Sequence, residues 1–144
     1  MNRFPDHIIR IHGITGARSA CRVMGARPFV LLSPEKAALS HGAQWFADLI
    51  KLISEEFPDS TFTTILDCRG RVSGALTAIE IGLDGVIVDP LPDDPVDRLQ
   101  DMGRQARCTV VTELPPQNAI YEMRDDLLPD GELDRRLQEY LGDA

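Results

Sequence analysis

The stretch ILDCRGRVSGALTAIEIGLDGVIVDP, residues 65–90, decides the fold class of this chain. It contains a short apolar run, a polar turn, an amphipathic segment with helical spacing, a glycine-containing turn and a second apolar run. Short apolar runs on either side of a helix are typical of parallel strands joined by a crossover helix. Because the runs end in Asp67 and Asp89, the sequence predicts two carboxylates at one edge of a parallel sheet.

The same alternation of strands and helices continues on both sides of this unit. Apolar runs predict further strands at 7–14, 28–33, 61–68 and 108–114. A long helix that ends before Pro58 is indicated by apolar residues at steps of three and four: Trp45, Phe46, Leu49, Ile50, Ile53 and Phe57. Residues 34–42 fit either the first part of this helix or a loop in front of it. Residues 15–28, rich in glycine, alanine and arginine, fit a loop or a short, poor helix.

The pattern predicts an α/β fold with a mostly parallel sheet of four or five strands and helices on both faces. The first strand has one mixed face, so we expect it at a half-exposed or edge position. The 144 residues suit one domain, 1–144. Its sheet would be either an open flavodoxin-like sheet or half a barrel that a second copy completes. Residues 117–144 are expected to form a C-terminal helical extension, with apolar residues at Ile120, Met123 and Leu127 and then at Leu133, Leu137, Tyr140 and Leu141.

Composition limits the partners of the chain. The net charge of -8 disfavours binding to nucleic acids or anionic membranes, because phosphates would be repelled. The sequence has no basic segment followed by a long apolar run at its start, and no apolar stretch long enough to cross a bilayer. Three widely spaced cysteines predict neither a disulfide framework nor a metal site. We therefore expect a cytoplasmic protein without a metal or other cofactor.

The carboxyl edge of the predicted sheet is where a ligand is expected, because open α/β sheets bind ligands outside the carboxyl ends of their strands. The predicted strands deliver polar residues to this edge, and the candidates for ligand binding are Ser33, Asp67, Arg69, Gly70, Gly74 and Asp89. Gly70 and Gly74 flank a helix N-terminus, where free amides favour a phosphate or a carboxylate. The alternative is a plain turn with surface arginines.

Three residues at or near this edge are candidates for catalysis. Asp67 and Glu113 are carboxylates suited to acid–base chemistry or, together with Asp89, to a divalent metal ion. Cys68 lies close to a predicted helix N-terminus, which lowers the pKa of a thiol and activates it as a nucleophile. For the carboxylates the alternative is that aspartate ends a strand and caps the next turn. For Cys68 it is an idle buried thiol.

The run TILDCRGRVSGALTAIEIGLDGVIVDP, residues 64–90, resembles one βα repeat of phosphate-binding TIM-barrel proteins, including small class I aldolases of the keto-deoxy-phosphogluconate type. The resemblance covers this one repeat and implies binding of a phosphorylated or carboxylated metabolite. The chain departs from such aldolases because it has no lysine on a strand, only Lys36 and Lys51. It is also shorter than the roughly 200 residues of a full barrel. We otherwise expect a small bacterial family.

Two functions follow from these observations. The first is a non-catalytic ligand-binding or regulatory module, since the sequence has no phosphate-loop fingerprint and no clear pair of nucleophile and base. The alternative is a lyase- or isomerase-like enzyme that binds a small anionic substrate at the carboxyl edge. The sequence leaves open whether the chain is an enzyme, and whether it acts as a homodimer.

Overall fold

The computed structural model describes residues 5–90, 93–113, 115–116 and 119–142. The strands of the described chain are β1 Ile8–Arg10, β2 Phe29–Leu32, β3 Phe62–Asp67, β4 Gly85–Ile87, β5 Thr109–Val111 and β6 Ile120–Glu122. The helices are α1 Ile14–Met24, α2 Ala37–Ser40, α3 Ala43–Glu56, α4 Ser73–Ile81, α5 Asp93–Ala106 and α6 Asp130–Leu141. None of these helices has the length and apolar character that crossing a bilayer would require.

The six strands form one parallel sheet in the order β5-β4-β3-β2-β1-β6. The predicted α/β class with a parallel sheet is therefore confirmed. The sheet has six strands instead of four or five because 120–122, predicted as helix, pairs with β1. The three-residue spacing of Ile120 and Met123 arises from a short strand that is followed by a turn, and so short a segment does not distinguish the two periods.

β1 lies in the interior of the sheet, between β2 and β6, and not at its edge as we expected. The arginine that made one face of this strand look mixed is Arg10, whose side chain is 1% exposed. A charged residue on a strand indicates a solvent-exposed face only when no buried group of the protein pairs with it. Here the partners come from distant segments of the chain, which strand periodicity cannot reveal.

The helices form one layer, and the prediction of helices on both faces was wrong in this respect. Neighbouring helices contact one another in the order α6, α1, α3, α4, α5, which follows the order of the strands beneath them. The other face of the sheet carries a second apolar cluster to which the described helices contribute nothing: Ile8, Val30, Leu32, Ile65, Ile87 and Ile120, with Val111 beside them. These side chains pack against one another on what we call the inner face, as in the wall of a barrel.

Residues 34–42 combine the two structures that the sequence left open. They contain the four-residue helix α2, and the chain then breaks before α3 begins. The break occurs at Gly42, where φ is +92°, a conformation that favours glycine because it has no Cβ. α2 lies across β3 and α4, so this short helix covers one side of the carboxyl edge of the sheet.

α6 forms where Leu133 and Leu137 predicted a helix, and both leucines are buried. It packs on α1, a helix of eleven residues where the sequence suggested a loop or a short, poor helix. Small residues let α1 approach its neighbours closely. The two helices are also joined by Asp134, which accepts hydrogen bonds from Arg22 and from the Ser19 hydroxyl.

Candidate functional site

Charged side chains line the carboxyl end of the inner face. Alternate residues of a strand face the same side of a sheet, so the residue two positions after an inward apolar residue also points inward. On five of the six strands that residue is charged, and together these residues are called the carboxyl rim: Arg10, Asp67, Asp89, Glu113 and Glu122. β2 departs from the pattern, because Leu32 is followed by Ser33 and Pro34.

Asp67 is the centre of a buried ionic network. Its carboxylate is fully buried and accepts hydrogen bonds from the backbone and the guanidinium of Arg69, the shortest of them 2.7 Å from Nη2. Arg10 Nη2 lies 3.6 Å from Asp67 Oδ2. Both arginines therefore face one buried carboxylate.

Arg10 is held from two further directions. Its Nε donates to the carbonyl of Ser33 at 3.1 Å, and its Nη1 donates to Glu35 Oε1 at 3.1 Å. The third nitrogen, Nη2, is buried and has no hydrogen-bond partner among the described residues. Buried polar atoms are almost always hydrogen-bonded, so a guanidinium N–H without a partner marks a position that an external acceptor would satisfy.

Ser33 is a positioning residue for this network. Its hydroxyl accepts the backbone N–H of Asp67 at 2.9 Å and donates to the carbonyl of Pro34 at 3.0 Å. The side chain is fully buried. Of the predicted ligand-binding residues, Ser33 therefore lies beside Asp67 as expected, and its hydrogen bonds hold β2 and β3 together at the site.

The turn after β3 binds a carboxylate from the protein's own chain, that of Asp89. Gly70, at a φ of +84°, donates its N–H to Asp89 Oδ2 at 2.7 Å. Gly74 is buried, and a Cβ built on it would lie 2.6 Å from the Cβ of Ala38 in α2. Gly74 is therefore explained by close packing between helices, while Gly70 and Asp89 are brought together at the edge where the sequence predicted them.

The structure places the other two candidates for catalysis, Cys68 and Glu113, in different surroundings. Cys68 is fully buried on the helix side of the sheet. Burial, with the nearby charge of Asp67, raises the pKa of its thiol to about 12, so the thiolate needed for nucleophilic attack does not form readily. Glu113 is exposed beyond the end of β5, beside a cavity of about 1140 Å³ that Arg104 and Arg107 also line.

Sequence reasoning missed two basic residues at the site. Arg10 was only part of the mixed face that placed the first strand at a half-exposed or edge position. Lys36 was noted only as a lysine outside the strands, yet it lies in the turn between β2 and α2, with a φ of +51°. Its Cδ lies 4.0 Å from where a Cβ on Gly70 would stand, so the lysine reaches the turn after β3. A left-handed conformation is costly for a residue other than glycine, and such strain is found at functional sites.

His12 and three carboxylates form a second group at the ends of β1 and β6. His12 Nε2 lies 2.5 Å from Glu122 Oε1. Asp125 accepts the backbone N–H groups of His12, Gly13 and Gly16, and so satisfies the start of α1 from a turn more than a hundred residues further along the chain. His12, Asp125 and Asp126 each offer one ligand atom within 4.8 Å of the others.

Comparison with known proteins gives no relative from which a role could be transferred: neither a protein-family model nor a curated protein matches this chain.

Proposed function

We propose that this protein binds a small anionic metabolite, through its carboxylate or phosphate group, at the carboxyl rim between β1, the β2–α2 turn and the β3–α4 turn. The observation that carries the proposal is Arg10, a buried guanidinium whose Nη2 has no hydrogen-bond partner within the described part of the chain. Burying a charge is expensive unless it is fully paired and hydrogen-bonded. An anion beside Nη2 would supply the missing acceptor.

The hydrogen-bond donors around this position suit an anion. Arg10 and Arg69 pair with Asp67, Arg10 also reaches Glu35, whose side chain is 64% exposed, and Lys36 reaches the turn after β3. Asp67 is paired with both arginines, and Asp89 accepts a hydrogen bond from the backbone of Gly70. The basic groups therefore retain donors for a ligand, and arginine and lysine are the residues that bind carboxylates and phosphates best.

Binding without catalysis fits these residues better than acid–base chemistry at Asp67. The carboxylate of Asp67 is buried and accepts several hydrogen bonds from Arg69, so both of its oxygens are already bound within the protein. The rim thus resembles a site that recognises charge. A lyase- or isomerase-like enzyme is the second candidate. The observation in its favour is the contact between His12 Nε2 and Glu122, which is the arrangement of a histidine poised for proton transfer.

The proposal is tested by calorimetric titration with inorganic phosphate and with small mono- and dicarboxylates. Arg10→Lys keeps the charge but loses the planar fork, and should weaken binding about ten- to a hundredfold, as expected for the loss of a hydrogen bond to a charged group. Lys36→Gln alters an exposed side chain, leaves the buried network intact and should weaken binding severalfold.

The matched control is Arg135→Gln. Arg135 is an exposed arginine of α6 whose partners are Glu132 and Glu139, far from the rim in the sequence. It should bind the anions as the wild type does. If the wild type binds none of the anions, or if all three variants bind them equally, the proposal is wrong. Turnover of a bound anion that is lost in His12→Gln would instead support the enzyme.

A further inference from the structure

We infer that His12, Asp125 and Asp126 form a binding site for a divalent transition-metal ion such as Zn²⁺ or Mn²⁺, with Glu122 as the residue that orients His12. The three side chains come from the end of β1 and from the turn after β6, two segments that the parallel pairing of these strands brings together. This inference is independent of the anion site at Arg10.

The distances suit a single ion. One imidazole nitrogen and two carboxylate oxygens lie within 4.8 Å of one another. Ligand atoms bound to one such ion at about 2.1 Å stand about 3–4 Å apart, so small side-chain rotations would close the site. Asp126 is exposed and free to rotate, and its ion pair with Arg124 is long, at 3.7 Å between Nε and Oδ1.

A separate observation concerns the other nitrogen of the histidine. Glu122 Oε1 lies 2.5 Å from His12 Nε2. Metal-ligating histidines almost always donate their second ring N–H to a carboxylate or a carbonyl, which fixes the tautomer and leaves the opposite nitrogen with its lone pair free. With Nε2 bound to Glu122, the nitrogen of His12 that remains for a metal is Nδ1.

Charge at this corner of the rim also calls for a cation. Asp125 forms no ion pair with any described lysine or arginine, although it is half-buried. Oδ2 of Asp125 accepts three backbone N–H groups, whereas Oδ1 accepts only that of His12, which it shares with Oδ2. Since each carboxylate oxygen has about two lone-pair positions, Oδ1 is the atom of Asp125 that remains for a metal ion.

The donor set selects the class of ion. Imidazole suits Zn²⁺, Mn²⁺ and neighbouring transition metals, whereas Ca²⁺ and Mg²⁺ prefer sites built from oxygen alone. Three protein ligands leave one or more positions open, as in metal sites that also bind water or a substrate. The site would then have the composition of a reactive centre and not that of a closed structural one.

The test is a titration of tag-free, chelator-treated protein with Zn²⁺, followed by calorimetry, and with Co²⁺, followed by visible absorption. One ion should bind per chain, and the Co²⁺ spectrum should lack thiolate charge-transfer bands because the three cysteines are buried elsewhere. His12→Gln and Asp126→Asn should each weaken binding at least tenfold. Glu122→Gln should weaken it about tenfold, as changes to orienting residues do.

The controls are His7→Gln and Asp97→Asn, which change an exposed histidine and an exposed aspartate outside the group. Both should bind metal as the wild type does. Zn²⁺ should also raise the thermal unfolding temperature of the wild type and of the controls, since the three ligands come together only in the folded chain. The inference is overturned if the wild type binds no ion at millimolar Zn²⁺, or if Asp126→Asn and Asp97→Asn bind it equally.

Discussion

Replacing Asp67 by asparagine should destabilise the protein strongly, because it leaves two arginines facing an uncharged amide. Arg10 is 1% exposed, and its remaining ionic partner is Glu35, whose side chain is 64% exposed and screened by solvent. Removing one partner of a buried ion pair typically costs 3–5 kcal/mol. The asparagine oxygen still accepts one hydrogen bond, so we expect the lower end, a loss of about 3 kcal/mol.

The loss is measurable by urea unfolding followed through the fluorescence of Trp45, the one tryptophan of the chain. With a dependence on urea of about 2 kcal/mol per molar, a loss of this size lowers the midpoint by about 1.5 M. The double variant Arg10→Met/Asp67→Asn also removes the buried charge of Arg10, which has lost its partner in Asp67→Asn. We expect this variant to be more stable than Asp67→Asn alone, with a coupling of about 1–3 kcal/mol.

The matched control is Glu132→Gln. Glu132 also holds two arginines, Arg135 and Arg136, but on the surface of α6, where solvent screens such pairs. Its midpoint should stay close to that of the wild type. The reasoning is refuted if Asp67→Asn loses less than about 1 kcal/mol, or if adding Arg10→Met makes the protein less stable still.

Two further predictions concern titrating groups. Burial raises the pKa of all three thiols, that of Cys68 to about 12. A thiol reagent at about pH 8 should therefore label the native protein slowly, whereas in urea it should label all three cysteines. Fast labelling of Cys68 in the native protein would contradict this. Burial acts to raise the pKa of Asp134, but hydrogen bonds from Arg22 and Ser19 outweigh it and lower the pKa. The stabilisation is therefore present above the unfolded pKa of about 4 and is lost as the pH falls through the folded pKa. Below about pH 4 the urea midpoint of Asp134→Asn should fall less steeply with decreasing pH than that of the wild type. Equal slopes for the two proteins would show that the contacts of Asp134 do not stabilise the fold.

The order and types of most elements could be predicted because they depend on local chemistry. Apolar runs gave β2, β3 and β4, and the apolar spacing before Pro58 gave α3. The segment 120–122 was misread because three residues do not establish a period. α1 was undervalued because glycine is a poor helix former and because so short a helix is only marginally stable alone; packing against α6 stabilises this one.

The candidate site divides in the same way. Asp67 and Asp89 follow apolar runs, so their place at the carboxyl edge could be read from the sequence. The roles of Gly74 and Cys68 could not, because both depend on which neighbour lies opposite. Gly74 faces Ala38 at a distance that excludes a side chain, and Cys68 faces the helix layer instead of the inner face.

The sequence by itself determined an α/β chain with carboxylates at the carboxyl ends of its strands, because strand periodicity and turn chemistry are local properties. Tertiary structure decided which charges meet. The pairing of β1 with β2 and β6 brought Arg10 towards Asp67 and His12 towards Glu122 and Asp125. These contacts join residues far apart in the chain, and their strength depends on burial and on distances of a few ångströms, which no spacing along the sequence specifies.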